Sequence, residues 1–195
     1  MSGVAIYLEG GGDSTDGKAR LRQGMNAFLG PLRDKGGFRK KRWSVIPCGS
    51  REATVEAFVD GLTTDPDTFN VLLVDSDDAV TAAPVEHVQL RDRADADAVH
   101  LMVRTMETWI VADPQGLARV YGKGFNASGL PRATDLETVE KARVADALKT
   151  ATKDTARGPY HKTHHIRDVL GALDPAEVRA RCKHCERFFV VLESR

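Results

Sequence analysis

Two hydrophobic periods alternate along the first half of this chain. Residues 4–8 (VAIYL) are a short apolar run bounded by glycines, which predicts a buried strand. From about 18 to 35 the apolar positions are Leu21, Met25, Phe28, Leu29 and Leu32, a helical spacing. Residues 42–48 (RWSVIPC) predict a second strand. Ser50 can cap the helix after it, whose apolar face is Val55, Ala57, Phe58 and Leu62, and the DPD at 65–67 breaks that helix. Residues 69–74 (FNVLLV) are apolar on both faces, as a central parallel strand should be. Residues 99–103 (VHLMV) predict a fourth strand, with a helix from near Thr105 and a further helical turn from Asp113 and Pro114.

After a loop at 122–131 the pattern becomes wholly helical, over roughly 137–152, 164–173 and 175–193. Strands alternating with helices imply an α/β fold, a parallel sheet with right-handed crossovers and flanking helices. The change of pattern divides the chain into an α/β domain at 1–122 and a helical C-terminal extension at 123–195 packed on it.

Composition narrows the function classes. The 195 residues are 42% hydrophobic and 29% charged, enough for one sizeable core. Formal net charge is zero, so any nucleic-acid contact must come from local basic patches. The N-terminus has no basic leader before a long apolar core, and no stretch approaches the ~20 apolar residues of a membrane span. Three cysteines, an odd number, argue against a disulfide framework and for a reducing cytoplasm.

Two readings compete for the turn after the first strand. Gly12 to Lys18 spells G-x-x-x-x-G-K, the core of a phosphate-binding loop, and VLLVD at 71–75 can imitate the acidic strand that accompanies one. A P-loop-like NTPase, however, needs a Ser or Thr after the lysine for its magnesium, and Ala19 stands there. The other reading rests on acids. Glu9 follows the first strand, and Asp75-Ser76-Asp77-Asp78 follows the third. In a doubly wound sheet strands one and three are commonly neighbours, and the crevice opens at their C-terminal ends. An extended backbone would also send Asp75 and Asp77 to the same side. Converging carboxylates repel, and a hard divalent cation, magnesium or manganese, relieves that repulsion. Such an ion activates water and stabilises charge on a phosphodiester, while a glutamate beside it can serve as general acid or base. DSDD alone is also a common polar strand exit; Glu9 at the matching strand end is what tips the balance.

The glutamate after the first strand and the D-x-D after a later one resemble the Toprim domain of topoisomerases, primases and overcoming-lysogenization-defect nucleases. The segments LEGGGDS, LLVDSDD, HLMVRTMETWIVAD and YHK more closely resemble a family of small bacterial Toprim-like proteins of unassigned function, often encoded beside ATPase genes in phage-defence clusters. By that resemblance the fold is a Toprim-like Rossmannoid sheet, Glu9 is the acid–base residue, and Asp75 and Asp77 bind the metal. The activity implied is metal-dependent cleavage of DNA or RNA, with tRNA as one candidate substrate left open, and the partner implied is an ABC- or SMC-type ATPase. Nothing marks a tyrosine nucleophile of the topoisomerase kind, which points to hydrolysis without strand rejoining. A partner-binding or regulatory subunit whose acidic cleft never turns over is the alternative from a different class.

Around this core stand supporting candidates, each with a plainer reading. Glu107, just past the fourth strand, is a further metal ligand, an outer partner of one, or a first-turn helix acid favoured by the macrodipole. Asp113 before Pro114 reads as a helix cap. Lys153, Arg157, His161, Lys162, His164 and His165 form a basic loop that can bind phosphate, with Lys162 or Lys153 near the scissile group and Tyr160 stacking on a base; a solvated inter-helix loop is the plainer reading. RDKGGFRKKR at 33–42 is a second basic run. His161, His164, Cys182 and Cys185 have the ligand count of a zinc site, but Val178, Cys182, Cys185, Phe189 and Leu192 follow one helical face, which makes the cysteines core residues.

Overall fold

The computed structural model describes residues 3–35, 38 and 41–195, with the backbone alone for Lys35. Four residues of the basic run at 33–42, at positions 36, 37, 39 and 40, lie outside the described residues. The element order is β1 (Gly3–Glu9), α1 (Thr15–Phe28), α2 (Gly30–Lys35), β2 (Arg42–Gly49), α3 (Arg51–Thr64), β3 (Thr68–Asp75), α4 (Pro84–His87), β4 (Val99–Met102), α5 (Met106–Ile110), α6 (Pro114–Tyr121), α7 (Lys141–Thr152), α8 (Ile166–Ala172), α9 (Pro175–Arg181) and α10 (Lys183–Glu193).

The described strands form one parallel sheet in the order β2-β1-β3-β4. The chain grows outward from β1 to β2, then returns to place β3 on the other side. That reversal makes β1 and β3 neighbours, with Leu8 opposite Leu73 in register. Glu9 and Asp75, one residue and two residues beyond that pair, therefore end adjacent strands at the same edge of the sheet.

Side-chain alternation along the strands divides the core in two. Val4, Ile6, Leu8, Val71 and Leu73 face α1 and the C-terminal helices, in a cluster that reaches Trp109, Leu148, Val169, Phe188 and Leu192. Leu72 and Val74 face the other way, onto Phe58, Val85 and Leu90. Residues on both sides of position 122 share the larger cluster, so the helical extension packs with α1 on one face of the sheet.

Two expected helices are broken. The periodicity over 18–35 continues through Leu29, but the helix stops at Phe28 and restarts at Gly30. Pro31 supplies the reason: it has no N–H to bond back to Ala27 and tolerates only the first turn of a helix. The stretch 175–193 breaks at Cys182, whose φ of −133° and ψ of 100° are extended. Val178, Cys182, Cys185, Phe189 and Leu192 are nonetheless all buried, so the apolar face survives the break. The Gly10–Gly12 turn is more constrained than a flexible linker. All three glycines have positive φ, and a Cβ on Gly11 would lie 2.9 Å from Cα of Lys18.

Candidate active site

β1 and β3 deliver two carboxylates to the C-terminal edge of the sheet, and the loop after β3 and helix α5 deliver two more. Glu9 Oε2 accepts from the Asp75 backbone N–H at 3.2 Å, so the two acids that end β1 and β3 share one spot. Asp75 Oδ1 accepts from the Met106 N–H at 2.9 Å. Thr105, which precedes α5, makes no side-chain cap, so Asp75 caps that helix from across the sheet. Glu107 follows in the first turn of α5, and its Oε1 accepts from the Tyr160 hydroxyl at 3.3 Å.

Asp77 arrives differently from expectation. β3 ends at Asp75, and Asp77 has φ of +62°, in the left-handed region. The alternation argument that sends Asp75 and Asp77 to one side of an extended strand therefore fails. The loop after β3 is instead laced to the loop after β4. Ser76 N–H donates to Met102 O, Asp77 N–H donates to Arg104 O, and Arg104 N–H donates to Ser76 Oγ at 2.7 Å. Arg104 also has φ of +62°. Two non-glycine residues held at positive φ by mutual hydrogen bonds are strain fixed by the surrounding structure, and such strain clusters at functional sites.

The electrostatics are those of a site short of positive charge. Burial pushes the Asp75 carboxyl well above the usual aspartate value, and the negative charges of Glu9, Glu107 and Asp77 add to the rise. Burial also raises Glu9, against the opposing pull of the Arg51 guanidinium. Asp77 goes the other way, held below its ordinary value first by a hydrogen bond from Lys141 and then by Arg51. Lys141 Nζ lies 2.5 Å from Asp77 Oδ1, and Arg51 Nη2 lies 2.5 Å from Asp77 Oδ2. Arg51 also donates to the Asp75 carbonyl and approaches Glu9 Oε2 at 3.5 Å.

Residues 8–193 match a family described as a domain of unknown function, DUF4276. The chain belongs to that family. No curated protein and no solved structure matches it. In this DUF4276 protein, then, the site itself is the guide to chemistry.

Of the site residues expected from sequence, Glu9, Asp75, Asp77 and Glu107 come together. The basic loop does not join them by any ion pair among the described residues. Lys153 and Lys162 are exposed, and Arg157 is paired with Asp168 at 2.8 Å. His165 Nδ1 lies 2.9 Å from the Tyr121 hydroxyl, and burial lowers its pKa. His161 stacks on His164 with ring centroids 4.3 Å apart. Tyr160 is only 8% exposed, with its hydroxyl turned to Glu107, so it offers no open face for stacking on a base.

Cys182 and Cys185 are fully buried in the apolar core, and burial pushes both thiols up. Asp113 is the cap its sequence implies, accepting from Gly116 N–H at 2.9 Å.

Sequence reasoning missed the cations Arg51 and Lys141. Arg51 had a signal: it follows the end of β2, which borders β1, so its helix must start beside Glu9. Lys141 had none, because α7 reaches the site only through tertiary packing.

Among the described residues no three Asp, Glu, His or Cys side chains are grouped as a finished ligand set. The donor chemistry nevertheless fits a hard divalent ion. Four carboxylates supply oxygen only, and Asp75 is raised by its neighbours' negative charge as well as by burial. For Asp77 to join such a set, its oxygens must leave Arg51 and Lys141.

Proposed function

We propose that this protein is a divalent-metal-dependent nuclease that hydrolyses phosphodiester bonds in DNA or RNA. The observation that carries the reading is the contact of Glu9 with Asp75 at the ends of adjacent parallel strands, where burial and then the neighbouring carboxylates raise Asp75. Asp75 and Asp77, with Glu107, would hold magnesium or manganese. When bound, the ion would supply an activated water and offset the extra negative charge of the attacked phosphate.

The chain's own groups divide the remaining work. Burial raises the Glu9 carboxyl above its ordinary value, against the pull of Arg51, and in this reading Glu9 is the acid–base residue. The Met106 N–H fixes Asp75 Oδ1 and leaves its other oxygen for the ion. The Tyr160 hydroxyl restrains Glu107. The Toprim resemblance of the E…D-x-D order supports the same roles. The association with an ATPase, in a cytoplasmic anti-phage system, rests on the sequence resemblance alone. No helix among the described residues is long and apolar enough to cross a membrane.

The test incubates purified protein, with and without an ATPase partner, with DNA and with tRNA. Magnesium, manganese and chelator lanes accompany each substrate. Cleavage should require the metal and vanish in Glu9→Gln and Asp75→Asn while the circular dichroism spectrum is kept. Either variant cutting as fast as the parent defeats the assignment.

One observation favours a second reading, a non-catalytic partner-binding subunit: both oxygens of Asp77 are already engaged by cations. Metal-independent binding to the ATPase, with no cleavage in any lane, would select it.

A further inference from the structure

Arg51 and Lys141 hold positions that their own helices do not favour. Arg51 is the first residue of α3 and Lys141 the first residue of α7. At a helix N-terminus the macrodipole disfavours positive charge, and the nearby acids, Glu52 in the first turn of α3 and Glu140 at the N-cap of α7, offset that only in part. Helix electrostatics alone therefore does not favour either cation. Tertiary structure does, because both reach Asp77, one to each oxygen. They come from opposite sides, α3 packing on β1, β2 and β3 and α7 lying in the C-terminal region. Both keep a way out: the Lys141 side chain is 50% exposed, the Arg51 side chain 30% and the Asp77 side chain 49%. Ion pairs this open are weak and readily exchanged.

We propose that Arg51 and Lys141 are exchangeable counter-cations that become the phosphate grip of the site. While no divalent ion is bound they neutralise Asp77. Once its carboxylate is committed to an ion, both turn to the non-bridging oxygens of a phosphodiester in the substrate. The inference rests on the nuclease reading and deepens it, because it makes substrate affinity depend on prior metal loading. It also moves the phosphate contact from the basic loop at 153–165 to the two cations that already touch the carboxylates. A lysine and an arginine directed at one small anion suit a phosphodiester. Arginine supplies a planar fork for two oxygens and lysine a point charge.

The experiment uses the full chain and two readouts. The first is manganese affinity by calorimetric titration, without nucleic acid, for the parent, Arg51→Met, Lys141→Met and the conservative Lys141→Arg. Removing a competing internal cation should tighten manganese binding roughly threefold or more, whereas Lys141→Arg should bind like the parent. The second readout is anisotropy of a short labelled oligonucleotide on the uncleaving Glu9→Gln background. Manganese should tighten that binding, and Lys141→Met should erase most of the gain.

If the parent binds manganese and both methionine variants bind it equally well or more weakly, the exchange is refuted and the nuclease reading stands. Unchanged oligonucleotide affinity in Lys141→Met also refutes it. If the parent binds no manganese, both readings fall together. Thermal melts of all variants guard against misfolding, and Lys141→Met, at an exposed position, is the variant least exposed to it.

Discussion

Two aspartates in this fold each cap a helix, and they are treated in opposite ways. Asp113 is 1% exposed and fully satisfied. Its Oδ1 accepts from Gly116 N–H and its Oδ2 from Asp174 N–H, each at 2.9 Å, and Arg119 lies 3.5 Å away. Asp75 caps α5 with one oxygen, through the Met106 N–H, and faces Glu9, Glu107 and Asp77 with the rest of its surroundings. The first arrangement settles a buried charge with donors and a counter-cation. The second adds like charges to a partly buried one. A fold that needed only a cap at α5 would gain from an arrangement like that of Asp113. An unfavourable set of this kind marks a candidate functional site, and under the proposed function a positively charged ligand would relieve it.

The widest separation between the two aspartates should appear in activity. Asp75→Asn should lose on the order of a thousandfold or more in cleavage, while Asp113→Ala should cleave near the parent rate at temperatures where it stays folded. Stability should reverse the ranking. Asp113→Ala strands two backbone donors and should cost about 2–4 kcal/mol in urea unfolding. Asp75→Asn keeps an acceptor for the Met106 N–H and removes repulsion, so in chelator it should be neutral or more stable by about 1 kcal/mol. A large destabilisation by Asp75→Asn would make Asp75 a structural residue of the same kind as Asp113.

How much of this contrast could be read from the chain depends on the range of the forces involved. The strands and the adjacency of β1 and β3 follow from apolar runs and crossover rules, which are local or topological. Glu9 and Asp75 were legible for that reason, and Asp113 was legible as a cap because Pro114 follows it. The left-handed backbone of Asp77 was not, since it depends on hydrogen bonds between two loops that lie 28 residues apart at Ser76 and Arg104. The break at Cys182 was hidden because the buried face runs unbroken across it. Lys141 was hidden because its partner lies 64 residues away. Pairing at that distance leaves no trace in periodicity.

The pH dependence of stability gives a smaller and more specific contrast. The folded-state pKa of Asp75 is raised above its unfolded value. Between the two values the folded state binds more protons than the unfolded state, so stability rises as pH falls through the folded pKa. That gain is complete below the ordinary aspartate range. Asp77 is lowered, so its contribution is present above that range and is lost as pH falls through the depressed value. In chelator, the stability advantage of Asp75→Asn over the parent should therefore be largest at neutral pH and shrink on acidification, before the Asp77 contribution fades. An advantage that is independent of pH would remove the charge argument and leave packing as the cause.

The smallest effect concerns the group that restrains Glu107. Tyr160 is buried, its pKa is pushed well above the usual value by burial and then by Glu107, and its hydroxyl donates to Glu107 Oε1. Tyr160→Phe keeps the ring and its backbone bond to Thr152 but deletes that donor. At 3.3 Å the bond is long, so the loss should sit near the low end of the usual range, about 0.5–1 kcal/mol, or roughly 1–3 °C in Tm. Glu107 would then be freer to add its charge to the pocket, and manganese affinity should change more than stability does. The comparison with Asp113 is sharpest here, because its donors are backbone groups that truncating another side chain leaves in place. If Tyr160→Phe lowers stability by several kcal/mol and leaves manganese binding untouched, Glu107 belongs with Asp113 among the structural carboxylates, and the ion set shrinks to Asp75 and Asp77.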